Sequence, residues 1–207
     1  MHMRLQSPFA TVTPTLDGDV LTALARADQW FTVPQLAGVI GKGSPDGIRK
    51  VLIRLAAEGL VELMSGGRSR LYRLNRDHLA APALLELADL RTTLIRRLHD
   101  EMSAWTHPPP PVYAALFGSG ARGTMTVESD LDLFLLRPDD AGDSWDDDVD
   151  SIKEAASRWT GNDVQVLEFA AEEARGNESA EPALQDVIHE GITVLGDRLA
   201  FRRLARG

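Results

Sequence analysis

The chain has 207 residues, 43% of them hydrophobic and 26% charged, which allows one large domain or two small ones with packed cores. It contains no cysteine, which excludes disulfides, thiolate zinc sites and cysteine nucleophiles together. The net charge of −9 is unevenly spread: residues 1–80 carry ten lysines and arginines against seven acids, or +3, and residues 81–207 carry twelve against twenty-four, or −12. A basic front and an acidic back imply two modules with different partners. No N-terminal stretch resembles a signal peptide and no apolar run reaches the length of a bilayer span, so a cytosolic protein with no membrane partner is expected.

Three short helical patterns come first. Leu16 to Ala27 carries Val20, Leu21 and Leu24 at helical spacing. Thr32 is placed to cap a second helix, with Pro34 in its first turn and Leu36, Val39 and Ile40 facing inward. After a tight turn at "GKG" (41–43), Ser44 caps a third helix that starts on Pro45, buries Ile48, Val51, Leu52 and Leu55, and ends at Gly59. Two strand-like runs in "LVELMSGGRSRLYRLN" flank Ser65-Gly66-Gly67, which is hairpin chemistry. Arg49, Lys50 and Arg54 lie off the apolar stripe of the third helix, and Arg68 and Arg70 lie at the hairpin tip. Over roughly residues 15–76 this order resembles the winged helix-turn-helix of bacterial transcription regulators. The resemblance implies DNA as a partner, with those five cations set against its phosphates.

Pro82 opens a long helical pattern in which Leu84, Leu87, Leu90, Leu94, Leu98, Met102 and Trp105 recur every three or four residues. Such a stripe packs between modules or against a second copy of the chain, giving a possible homodimer through residues 82–105. "HPPPPVY" then stops the helix, because proline removes its hydrogen bonds. The expected division is a DNA-binding domain over 1–80, a linker helix over 81–107 and a second domain over 108–207.

In the second domain "VYAALF" (112–117), "LDLFLL" (131–136) and "DVQVLEF" (163–169) read as strands, and residues 149–159 and "PALQDVIHEG" as amphipathic helices; "ITVLG" closes the module. Gly118, Gly120 and Gly123 spell the dinucleotide fingerprint G-x-G-x-x-G, but only 13 residues separate Gly118 from Leu131, too few for the helix that such a unit requires. A second reading fits better. Glycines after a strand let backbone N–H groups approach a phosphate, and Ser119 adds a hydroxyl donor. Side chains alternate along a strand, so Asp130 and Asp132 share one face while Leu131 and Leu133 enter the core. Two carboxylates opposite a phosphate cradle are able to hold Mg²⁺ against a triphosphate.

"GSGARGTMTVESDLDL" resembles the G-S-x-A-R-G…S-D-x-D-L signature of minimal nucleotidyltransferases in the DNA polymerase β superfamily, over about residues 112–197. The implied architecture is α+β: a winged helix domain, a linker helix, and a small mixed-sheet nucleotidyltransferase domain. The resemblance implies that Gly118, Ser119, Arg122 and Ser129 bind the nucleotide, and that Asp130 and Asp132 are catalytic and ligate one or two Mg²⁺. The reaction it implies is attack of an acceptor hydroxyl on the α-phosphorus of an NTP, with pyrophosphate leaving. The family also places a third carboxylate on a following strand, to ligate metal and activate the acceptor; here that position falls on Gln165, with Asp163 at the same parity and Glu168 at the opposite one. Three functions stay open: an Mg²⁺-dependent nucleotidyltransferase carrying its own DNA-binding module, a transcription regulator whose degenerate domain senses a nucleotide, and a toxin–antitoxin component.

Overall fold

The computed structural model describes residues 3–67, 69–105, 109–177 and 181–207. They form two compact units, one spanning residues 7–91 and the other residues 92–207 together with the first residues of the chain, from Met3 to Gln6.

The first unit opens with a short 3-10 turn at Pro8–Thr11, followed by α1 (Leu16–Arg26), α2 (Val33–Ile40) and α3 (Pro45–Ala57). The caps form where residue type demands them. The Thr32 hydroxyl accepts the Gln35 N–H while the Gln35 amide oxygen accepts the Thr32 N–H, and the Ser44 hydroxyl accepts the Gly47 N–H. Strands β1 (Val61–Gly66) and β2 (Ser69–Leu74) pair antiparallel from Val61↔Leu74 to Gly66↔Ser69. Phe31 bridges to Tyr72 beside them. Val20, Leu24, Leu36, Ile48, Leu52, Tyr72 and Leu74 make the core. Val39 departs from expectation: it is 63% exposed. The stripe that α2 turns inward runs through Val33, Leu36, Ala37 and Ile40, and Val39 lies one residue off it.

The single helix expected over 82–105 is two helices, α4 (Ala81–Ala88) and α5 (Leu90–Ser103), with the Asp89 N–H turned back onto the carbonyls of Leu85 and Glu86. The reason lies in what each half buries. Leu84, Leu85 and Leu87 pack on the core of the first unit, whereas Leu94, Leu98 and Met102 are buried and belong to the second. The stripe read as a linker or dimer seam is largely used inside the chain. Trp105 lies beyond the helix, its ring edge-on to Trp145 at 5.5 Å.

The second unit is a four-stranded mixed sheet in the order β5-β4-β3-β6. β3 (Tyr113–Phe117) runs into α6 (Gly118–Arg122), and β4 (Leu131–Arg137) returns antiparallel to β3. α7 (Trp145–Thr160) crosses to β5 (Val164–Ala170), which is parallel to β4. α8 (Ala171–Ala174), α9 (Pro182–Glu190), β6 (Ile192–Gly196, antiparallel to β3) and α10 (Arg198–Arg206) follow. β4 is central, which is why Leu131 and residues 133–136 are all buried. Phe134 and Leu136 lie in one cluster with Tyr113, Leu184, Val187, Ile188 and Phe201. α10 has no counterpart in the sequence reading. Asp197 caps it by accepting the N–H groups of Leu199 and Ala200, and Phe201 stacks on Tyr113 at 4.4 Å. Among the described residues no helix is long and apolar enough to cross a membrane.

Asn162, 1% exposed, ties three segments of this unit together. Its side-chain oxygen accepts the Met3 N–H at 3.0 Å, its amide donates to the Ser129 carbonyl at 2.9 Å, and its own N–H reaches the Thr160 hydroxyl. Asn162→Ala leaves the Met3 donor and the Ser129 acceptor without their partner, so urea denaturation should show a loss of about 1–3 kcal/mol.

Candidate active site

The site begins where β3 ends. Antiparallel register sets Phe117 opposite Asp132, so the chain leaving β3 passes directly over that carboxyl. Gly118 makes the passage possible. Its φ is +62°, and a Cβ built there would lie 3.0 Å from Asp132 Cγ and closer still to Oδ2. No other residue tolerates both conditions. α6 takes the five residues from Gly118 to Arg122 and stops at Gly123, whose φ of +73° lets its N–H and that of Thr124 return to the Ser119 carbonyl. β3 and β4 are antiparallel, so the glycine pattern serves no parallel dinucleotide-binding unit.

The strand that follows carries the carboxylates. Leu131 and Leu133 are buried, while Asp130 and Asp132 are half-buried. Asp132 has the parity of Phe134 and Leu136, the two β4 residues in the cluster with α9 and α10. Partial burial first, and then the charge of Asp130, hold the Asp132 carboxyl above the usual range, and the Arg122 guanidinium pulls it back. Asp132 therefore feels both Asp130 and Arg122. The turn ahead of them is pinned by Ser129, whose hydroxyl accepts the Thr126 N–H at 2.9 Å while its carbonyl accepts the Asn162 amide.

Residues 96–186 match the nucleotidyltransferase domain family. The match spans less than half of the chain and takes in β3, α6, β4, α7 and β5. No curated protein matches the sequence. A crystal structure of a toxin-antitoxin with AMP-PNP aligns with 55% of this chain and 79% of its own, at 21% identity and a TM-score of 0.37; a likeness of that size carries no functional argument.

Within the matched region the parallel register of β4 and β5 pairs Asp132 with Gln165. Gln165 and Asp163 are exposed and share a parity with Leu167 and Phe169, which pack on the cluster that holds Phe134. Glu168, one step out of phase, accepts the Trp145 indole N–H at 2.6 Å. Trp145 itself is buried. Among the described residues no three or more His, Asp or Glu side chains form a cage for a metal ion. Two neighbouring carboxylates, one made reluctant to ionise by the other, remain a donor set that suits Mg²⁺, which takes one or two carboxylates and fills its shell with water and phosphate oxygens.

Sequence reasoning missed Glu190. It forms an ion pair with Arg122 from the end of α9, 68 positions away, and no local spacing announces it.

In the first unit, Arg49 and Arg70 line one cleft of about 380 Å³ together with Thr32, Val33, Pro34, Ser69 and Tyr72. Arg49 and Lys50 both pair with Asp46 on the same helix, at 3.5 and 3.2 Å, and Arg54 pairs with Asp17 of α1. These are exposed pairs of a kind worth only a few tenths of a kcal/mol up to about 1 kcal/mol, so they yield readily to another anion. Arg68 lies outside the described residues.

The shift at Asp132 has a measurable consequence. A carboxyl whose pKa is higher folded than unfolded binds more protons in the folded state, so its contribution to stability falls as pH rises from the ordinary carboxylate range through the raised value. In metal-free buffer Asp132→Asn should be more stable than the wild type at about pH 7, and that advantage should vanish below about pH 3, where Asp132 is protonated in both states. Urea denaturation across this range checks the sign.

Proposed function

We propose that the chain is an Mg²⁺-dependent nucleotidyltransferase fused to a DNA-binding winged helix. The observation that carries the catalytic half is the placement of Gly118 against Asp132, with Asp130 and Arg122 in electrostatic reach, inside a matched nucleotidyltransferase domain. Gly118 and Ser119 take the phosphates of an NTP, Arg122 offers its guanidinium to them, and Ser129 holds the turn that presents Asp130. Asp130 and Asp132 would hold Mg²⁺, which supplies charge neutralisation where negative charge builds on the phosphates. An acceptor hydroxyl attacks the α-phosphorus, the bond to the bridging oxygen breaks, pyrophosphate leaves, and the acceptor's proton passes to solvent or to Asp163. Gln165 occupies the place next to Asp132 where a base would be most useful, and an amide takes no proton.

That substitution favours a second reading: a transcription regulator whose nucleotidyltransferase-like domain binds a nucleotide without transferring it. Both readings require binding. Mg²⁺ with an NTP should raise the thermal stability of the wild type, and Asp130→Asn should abolish the rise. They differ in transfer to cell-extract acceptors from labelled NTP. Gln165→Glu should increase transfer by about 10²-fold or more, the scale of general base catalysis, with nucleotide affinity nearly unchanged. Brisk transfer by the wild type that Asp163→Asn does not slow would overturn the account of the base.

Three helices followed by an antiparallel hairpin, with Arg49 and Arg70 in one cleft, support the DNA-binding half. Double-stranded DNA from the protein's own promoter should shift in a gel with the wild type and not with Arg49→Glu/Arg70→Glu. Raising salt from 50 to 200 mM should weaken binding by about 10²–10³-fold, as about five phosphate contacts require.

A further inference from the structure

Arg122 ends α6, the short helix whose first residue lies against Asp132. α6 packs both on β4, which carries the aspartates, and on α9, which carries Glu190. The guanidinium is close enough to Asp132 to act on its charge, yet its ion pair is with Glu190. Glu190 is in turn on a secured element. Arg198 donates to the carbonyls of Ile188 at 2.8 Å and His189 at 3.1 Å, closing the end of α9, and the Arg198 backbone is itself the start of α10, capped by Asp197. Arg122 is 46% exposed and Glu190 27%, so the pair sits at the mouth of the site and not in the core.

These facts define a competition. Asp130 and Asp132 are two neighbouring carboxylates, and a guanidinium is a planar donor fork that fits a carboxylate with two hydrogen bonds. An Arg122 released from Glu190 has Asp132, on whose charge it already acts, as an alternative partner, and its binding there would fill the oxygens that a divalent cation needs. We propose that Glu190 is a positioning residue that holds Arg122 off the Asp130–Asp132 pair and so keeps both carboxylates open to a divalent cation. The inference rests on the reading of that pair as the cation site. It assigns to Glu190, which belongs to neither the glycine turn nor the aspartate strand, control over whether that site is available. It also leaves Arg122 free to exchange Glu190 for a phosphate once the nucleotide arrives, since an exposed pair is weak.

The test is Mn²⁺ binding to the full chain, read by electron paramagnetic resonance without nucleotide, on the wild type and the variants E190Q, E190D, R122Q and R122Q/E190Q. E190Q should bind Mn²⁺ about tenfold more weakly, the scale of one partly screened charge pair. E190D, which keeps the charge, should retain most of the affinity. R122Q alone should change little, because the charge of Arg122 is already offset by its ion pair with Glu190, whereas R122Q in the E190Q background should restore binding to the wild-type level. That non-additivity is the signature. Equal and opposite effects of R122Q and E190Q that simply add would show that Glu190 acts only through its charge, and would overturn the proposal; so would E190Q binding as tightly as the wild type, or a double variant that remains weak. A wild type that takes up no Mn²⁺, and that Mg²⁺ with an NTP does not stabilise, would overturn this proposal and the reading of the site together. Loss confined to E190Q overturns neither.

Discussion

The backbone of Gly118 running over the carboxyl of Asp132 is the constraint on which the rest of the second unit's candidate site depends. The antiparallel ladder between β3 and β4 brings the two strands to that point, because Phe117 and Asp132 are register partners. A chain leaving β3 there has no room for a side chain and needs a left-handed φ, and glycine meets both demands. Everything downstream inherits its place from this crossing. α6 starts on the carboxylate and, one helical turn later, carries Arg122, whose charge acts on that carboxyl; Gly123 then releases the chain toward Asp130. The same backbone-to-carboxylate approach that a larger residue would forbid is what brings backbone N–H groups and an acidic pair to one spot.

The charges at that spot are out of balance by design of the fold. Asp132 feels the charges of Asp130 and Arg122, and Arg122 pairs with Glu190. Burial already makes ionised Asp132 unfavourable, and the neighbouring aspartate makes it more so. Such an arrangement is costly for a resting protein and is relieved by an added positive charge. Two residues further along the same face of β4 the environment turns wholly apolar at Phe134 and Leu136. The acidic pair therefore sits half-buried where the strand emerges from the core.

The first unit distributes its charge differently. Its cations neutralise locally, Arg49 and Lys50 on Asp46 and Arg54 on Asp17, and the pairs lie on the surface, where water screens them. The two units also divide what looks like one helix. The leucines of residues 84–87 and the apolar residues of 94–102 obey the same spacing, yet only the first group packs on the core of the first unit, while the second is buried and belongs to the other unit, and the backbone breaks at Asp89 between them. Periodicity reports that a face is buried and is silent about which core buries it.

That distinction separates what was legible in the sequence from what was not. The caps at Thr32 and Ser44, the hairpin around Gly66, the strands at 113–117 and 131–137, and the alternation of buried Leu131 and Leu133 with half-buried Asp132 were all legible, because each follows from interactions between residues within a few positions of one another or from the period of two along a strand. The phase of β5, with Gln165 and Asp163 on one face and Glu168 on the other, was legible for the same reason. Other features required the folded chain. The exposure of Val39, the break at Asp89, the return of Met3 to Asn162 and the capture of Phe201 by Tyr113 are decided by neighbours far away in sequence. Glu190 is the clearest instance. Nothing near it distinguishes it from any acid at a helix end, and only the packing of α9 against α6 brings it to Arg122. By itself the sequence determined the local chemistry of a glycine turn and an acidic strand. The tertiary structure decided which charges meet, because an ion pair depends on distance in space, and distance in space between residues 122 and 190 is a property of the whole sheet and the helices laid on it.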